Sequence, residues 1–124
     1  VGKDVHGPGF YLHLEPDRVF AGAGIWHPDS KTAGKVRSAI VERERDWKKI
    51  RPTVLEGDSL KRPPRGFDAD HPLIEDLKRK DFFTLTRFTE SEATAPHFLE
   101  RYTKSCRAAS RFMAFLTKAV GLPY

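Results

Sequence analysis

The chain has 124 residues, 39% of them hydrophobic and 31% charged, and a formal net charge of +5. That length fits a single domain over 1–124 with a modest core, and the composition argues against a disordered chain. No apolar run approaches the roughly 20 residues a bilayer-spanning helix needs, so no membrane partner is expected.

Phe10, Leu12 and Leu14 alternate with Tyr11, His13 and Glu15, the period of a half-buried strand. Pro16-Asp17 supplies a turn, and Arg18 to Trp26 returns as the second strand of a hairpin. Gly22 and Gly24 share one face of that strand with Phe20 and Trp26. Glycines so placed point to close approach by a backbone, a packed aromatic ring or a ligand, and packing is the commoner case.

A helix follows, capped by Asp29 or Ser30. Ala33, Val36, Ile40, Trp47 and Ile50 recur at helical spacing if it runs unbroken, and a break near Glu44 is the alternative. Pro52 ends the pattern and Glu56-Gly57-Asp58 makes a turn. Asp70 is placed to cap a short helix with Pro72 in its first turn, burying Leu73, Ile74 and Leu77. A third strand spans about Phe82 to Phe88. From Pro96, Leu99, Tyr102, Cys106, Ala109, Met113, Leu116 and Val120 form an apolar stripe that predicts one long C-terminal helix stopping at Gly121. The expected fold is α+β, a small antiparallel sheet packed by that helix and the middle helices.

The segment Leu60-Lys61-Arg62-Pro63-Pro64-Arg65-Gly66-Phe67 concentrates three cations on a loop stiffened by two prolines. These cations suit a carboxylate or phosphate, arginine offering bidentate geometry. The competing reading pairs Arg62 or Arg65 with Asp58, Asp68 or Asp70, so that the loop serves the fold. The ligand-binding candidates are Lys61, Arg62 and Arg65, with His13, Trp26 and His71. The spacing does not match a phosphate-binding P-loop.

An enzyme reading would use His13 with Glu15, or His71 with Asp70, in proton transfer, and it requires these groups to converge. Against it, each histidine has a bland alternative in strand exposure or helix-start packing. No serine stands in a nucleophile elbow, and Cys106 falls on an apolar stripe where thiols are inert. The five histidines are scattered, so no metal site or cofactor is expected.

Between Lys31 and Arg51 stand eight lysines and arginines against Glu42, Glu44 and Asp46. A solvated, salt-bridged helix face is the first reading and polyanion binding the second. Nucleic acid would need Tyr11, Trp26, Phe67 and Trp47 as stacking groups, and no motif of a known nucleic-acid module supports it. Cys106 alone excludes an intrachain disulfide, and Val1 to His6 lack the apolar core of a signal peptide. A cytoplasmic setting is therefore expected.

The run Gly7-Pro8-Gly9-Phe10-Tyr11-Leu12-His13-Leu14-Glu15-Pro16 resembles a signature of the family called domain of unknown function 2461. So do Gly22-x-Gly24-Ile25-Trp26-x-Pro28, the Leu60–Phe67 segment with His71-Pro72, and Phe115-Leu116 with Gly121-Leu122-Pro123. The resemblance implies no defined activity, substrate or cofactor. It does imply a further segment before the hairpin, so this chain resembles the C-terminal part of a longer domain. An uncovered strand edge or apolar face would then recruit a second copy, and a homo-oligomer burying aromatic surface of the hairpin or last helix is expected.

Overall fold

A two-residue turn at Pro16-Asp17 joins β1 (Gly9–Glu15) to β2 (Arg18–Ile25) in the computed structural model, which describes residues 7–121. β3 (Phe82–Phe88) pairs with the far side of β2, giving an antiparallel sheet of order β1-β2-β3. Phe10 lies opposite Ala23, Leu12 opposite Ala21 and Leu14 opposite Val19, while Thr84 and Thr86 flank Ala23 and Ala21 from β3. Because side chains alternate across a strand, these residues share the face turned to the helices. The small Ala23 lets a helix approach closely and packs with Ala109 and Met113. Tyr11, Phe20, Gly22, Gly24 and Leu85 share the opposite face by the same register.

α1 (Ser30–Glu42) starts where the Asp29 carboxylate accepts the Thr32 N–H at 2.8 Å, and it buries Ala33, Val36, Ala39 and Ile40. The alternative of a broken helix is the one realised. Arg43 leaves helical geometry (φ −121°, ψ 48°), and α2 (Glu44–Ile50) then turns Trp47 into the core. α3 (Ile74–Leu77) is a single turn and corrects the assignment of its cap. Asp70 does not cap it: the position before the helix is Leu73, and the Asp70 N–H instead donates to the Asp68 carboxylate at 2.9 Å. A tight turn there closes before the helix can begin.

The C-terminal region forms α4 (Glu90–Thr94), α5 (Phe98–Ala108) and α6 (Ser110–Ala119). The single long helix expected from Pro96 is interrupted at Ala109, next to hydroxyls that bond backbone carbonyls of α5, Ser105 Oγ to Tyr102 O and, across the break, Ser110 Oγ to Arg107 O. The stripe is consequently divided. α6 buries Phe112, Met113, Phe115 and Leu116, whereas Leu99 of α5 is 72% exposed and Cys106 only half-buried.

α4 opens on a capping box, with the Thr89 N–H donating to Glu92 and the Glu92 N–H to the Thr89 hydroxyl. The backbone and then the hydroxyl of Thr89 hold the Glu92 carboxyl below the ordinary glutamate range. A lowered folded-state value means stability that is present above the unfolded-state value and lost as pH falls through the folded one. Hydrogen-exchange protection of α4 amides should therefore decline on acidification over that window, and Glu92→Gln should remove this pH dependence.

The main core gathers Ile25, Val36, Ile40, Leu77, Phe82 and Leu116 around Trp47, whose ring lies 6.0 Å from Phe112 and 5.1 Å from Phe115. Two buried carboxylates fasten the connecting segments, one between helices and one at the sheet. Asp76 accepts the Trp47 indole N–H at 2.7 Å and an Arg51 Nη2 bond at 3.1 Å. Asp81 accepts the backbone N–H groups of His27 at 2.7 Å and Asp58 at 2.9 Å, tying the exit of β2 and the 56–58 turn to the start of β3. Among the described residues no helix is long and apolar enough to cross a membrane.

Candidate anion site

The Pro-rich loop is ordered by its ends and its middle. Leu60 N–H donates to Lys78 O at 2.6 Å, Pro64 is buried, and Phe67 returns to pack against the main core. Gly66 makes that return possible at φ +88°, a backbone region that side chains oppose. The loop is thereby laid along α1. A concavity of about 430 Å³ opens between them, lined by Ser30, Gly34, Arg37, Arg65, Phe67 and Lys80 among others.

Gly34 and Phe67 also line a second, shallower depression of about 710 Å³, which adds Lys31, Lys35, Arg43 and Lys118 with Glu42. The two adjoin at Gly34 and Phe67 along α1, and together they are called the trough below. Arg37 is fixed by bonds from Nε to Leu77 O at 2.8 Å and from Nη2 to Arg79 O at 2.9 Å. Burial lowers its pKa from the usual arginine value, but guanidinium titrates so high that it stays charged at neutral pH. The Arg43 guanidinium lies 4.3 Å from the Phe115 ring centroid, a cation–π contact that holds it at the trough wall. A Cβ placed on Gly34 would meet nothing within 4 Å. Packing therefore does not require this glycine, and its position leaves the floor open.

Of the six candidates named from sequence, Arg65 alone lines this trough. Lys61 and Arg62 are exposed on the same loop. Among the described residues none of the three forms an ion pair, so the anticipated internal pairing with Asp58, Asp68 or Asp70 is not made. Trp26, 62% exposed, lines a different concavity of about 620 Å³ on the open face of the sheet, with Tyr11, Arg18, Phe20, Phe83 and Leu85. His13 stacks on Phe20 at 4.7 Å and its Nε2 meets the Glu15 carboxylate, so the His-Glu pair anticipated on β1 forms there. His71 sits before α3 on the helical side, where Nδ1 accepts the Leu73 N–H at 3.0 Å. The structure thus does not bring the two histidines or their carboxylates to one cleft.

Close approach at the strand glycines is internal. A Cβ at Gly22 would lie 2.1 Å from Cζ of Tyr11, whose ring covers it, and partial burial raises the Tyr11 phenol pKa. Of the four aromatics considered for base stacking, Trp47 is fully buried and Phe67 packs on the core, while Tyr11 and Trp26 stand on the sheet face. No metal-holding cluster of histidine, cysteine or carboxylates occurs among the described residues. His6 and the Leu122-Pro123 motif lie outside them.

The cationic trough residues not singled out from sequence are Lys31, Lys35, Arg37, Arg43, Lys80 and Lys118. Two signals pointed near them. One is the cation surplus between Lys31 and Arg51. The other is Gly34 inside a helix, where glycine costs about 1 kcal/mol relative to alanine.

No curated protein and no solved structure matches the chain. A family model described as a conserved hypothetical protein, DUF2461, matches residues 1–115. The hairpin, the Gly-x-Gly-Ile-Trp stretch and the Pro-rich loop all fall inside that span, and the chain belongs to the DUF2461 family of conserved hypothetical proteins.

Proposed function

We propose that the chain is a binding domain for a small anionic ligand carrying phosphate or carboxylate, seated in the trough between α1 and the Pro-rich loop. One observation carries this reading. Among the described residues Lys31, Lys35, Arg65, Lys80 and Lys118 line the trough without an ion pair, and Glu42 is the sole carboxylate in its lining. Concentrated like charge without counter-charge is unfavourable in isolation and is relieved by an anion. Arg65 offers a bidentate fork, Arg37 a fixed charge at the wall, and the open space over Gly34 room for the ligand's body. Lys61 and Arg62 add exposed positive charge on the same loop. The lone cysteine supports a cytoplasmic setting for such a ligand.

Nucleic acid ranks second because the exposed aromatics lie on the sheet face and the unpaired cations line the α1 trough. Proton-transfer catalysis ranks lower, since His13 and His71 do not meet.

Pyrophosphate should raise the melting temperature, by the equivalent of about 2.7 kcal/mol at a hundredfold excess over the dissociation constant. Arg65→Ala should weaken binding roughly ten- to hundredfold, the worth of one charge-assisted bond. An equal shift in Arg65→Ala, or the same shift from sodium chloride of matched ionic strength, would count against the reading.

A further inference from the structure

We infer that the ligand of the trough is anionic at both ends, two phosphate or carboxylate groups held apart by an uncharged organic body, and that Gly34 is the residue that selects it. Such molecules are a subclass of the anions proposed above, and their assignment rests on that reading.

Gly34 stands inside α1, where glycine is among the poorest helix formers. It is not one of the glycines at positive φ, and a Cβ on it would meet nothing within 4 Å. Neither backbone conformation nor packing within the chain calls for glycine there. Its position does. Gly34 and Phe67 are the two residues that line both depressions, so they form the sill between them. A side chain on Gly34 would occupy open space at that sill.

Each depression has its own cations. Arg37, Arg65 and Lys80 line the one of about 430 Å³, with no carboxylate among the described residues of its lining. Lys31, Lys35, Arg43 and Lys118 line the one of about 710 Å³ against Glu42 alone. α1 adds to the imbalance. Its first turn holds Lys31 and no acidic residue, although the helix dipole favours an acidic one there. Each volume by itself falls in the range of ligand pockets, roughly 300–1,000 Å³. One compact anion answers one set of cations and leaves the other without counter-charge. A molecule with an anionic group at each end answers both, and its middle must cross the sill. Phe67 offers that middle an apolar wall, and Gly34 offers backbone with no side chain in the way. Tethering makes the second contact intramolecular, which raises affinity by about 10²- to 10⁴-fold where both ends can engage.

Calorimetric titrations with fructose 1,6-bisphosphate and fructose 6-phosphate at one ionic strength test this directly, because the two probes share a body and differ by one anionic end. The bisphosphate should bind at least about a hundredfold more tightly. Gly34→Leu should keep the circular dichroism and lower that ratio at least about tenfold, since the two ends can no longer engage together. The substitution changes no charge, so a fall in the ratio does not come from non-specific attraction. Lys118→Ala should also lower the ratio, by removing a cation from one depression only. Equal affinity for the two sugars would overturn the double-ended ligand and leave the anion site standing. A ratio unmoved by Gly34→Leu would overturn the role of Gly34. Failure of both sugars and of pyrophosphate to bind would overturn this inference together with the reading it rests on. If Gly34→Leu does not fold, Gly34→Gln, similar in reach and suited to solvent, decides by the same ratio.

Discussion

Asp76→Ala should lose about 3 kcal/mol of unfolding free energy, from a buried indole donor left unpaired and a part-buried ion pair broken. Asp76 is buried and serves two elements at once. Its Oδ2 takes the Trp47 indole N–H, and its Oδ1 takes Arg51 Nη2, with Arg51 Nε a further 2.9 Å ion contact to Oδ2. That Nε is not aligned for a hydrogen bond, so it contributes charge rather than a directed bond. Removing the carboxylate strands a charged guanidinium and an indole donor beneath α2, in a domain whose whole stability is of order 5–15 kcal/mol. Urea denaturation followed by the fluorescence of Trp47 measures it. The control is Glu75→Ala on the same short helix, where the Lys78 ion pair is long and its carboxylate exposed, and the change should stay within about 0.5 kcal/mol.

Gly24→Ala should cost about 3 kcal/mol or more, and Gly22→Ala much less, although both lie on the same face of β2. Gly24 has φ +136°, and a Cβ there would stand 2.1 Å from Phe82 O and 2.5 Å from the Phe83 Cα. Both obstacles are backbone, so β2 and β3 must separate, on top of the strain of an unfavourable φ. At Gly22 the obstacle is the far end of the Tyr11 side chain, which can swing away. Thermal melts of the two variants separate the cases, and equal losses would show that the Tyr11 ring is as rigidly held as the β3 backbone.

These two glycines also show what a sequence can and cannot display. Their pairing on one strand face is visible from spacing alone, as is the choice among backbone, ring and ligand. The answer, a ring at Gly22 and a backbone at Gly24, depends on the register with β1 and β3, and β3 is distant in sequence, Phe83 lying opposite Gly24. Strand limits were legible because a two-residue turn and a strict alternation mark them. The breaks at Arg43 and Ala109 were harder to read. The apolar period continues through both: a break near Glu44 stands in the sequence only as an alternative to a continuous helix, and the one at Ala109 has no counterpart there. α4 leaves no apolar period in the sequence because its five residues carry no buried position, and the capping box at Thr89 and Glu92 is the signal it does carry.

The candidate site was legible in part. Charge and proline stiffness singled out Arg65, and the surplus on Lys31 to Arg51 was plain. What sequence could not show is that the loop lies along α1, so that the depression lined by Arg65 adjoins the one lined by Lys31 and Lys35. Of the ion pairs anticipated on that helical surface, Glu44–Lys48 forms at 3.6 Å, whereas Lys31 and Lys35 form none among the described residues. His13 and Trp26 on the hairpin and His71 beside Asp70 are expected from sequence to join the loop, and tertiary structure distributes them over the sheet face and the approach to α3.

The most direct test of the trough is a pyrophosphate titration followed by backbone amide shifts. Saturable changes should concentrate on Gly34, Lys35 and Phe67, where the two depressions meet, and should be lost in Arg65→Ala. Changes confined to Tyr11, Phe20 and Trp26 on the sheet face, or none that saturate, would contradict the assignment.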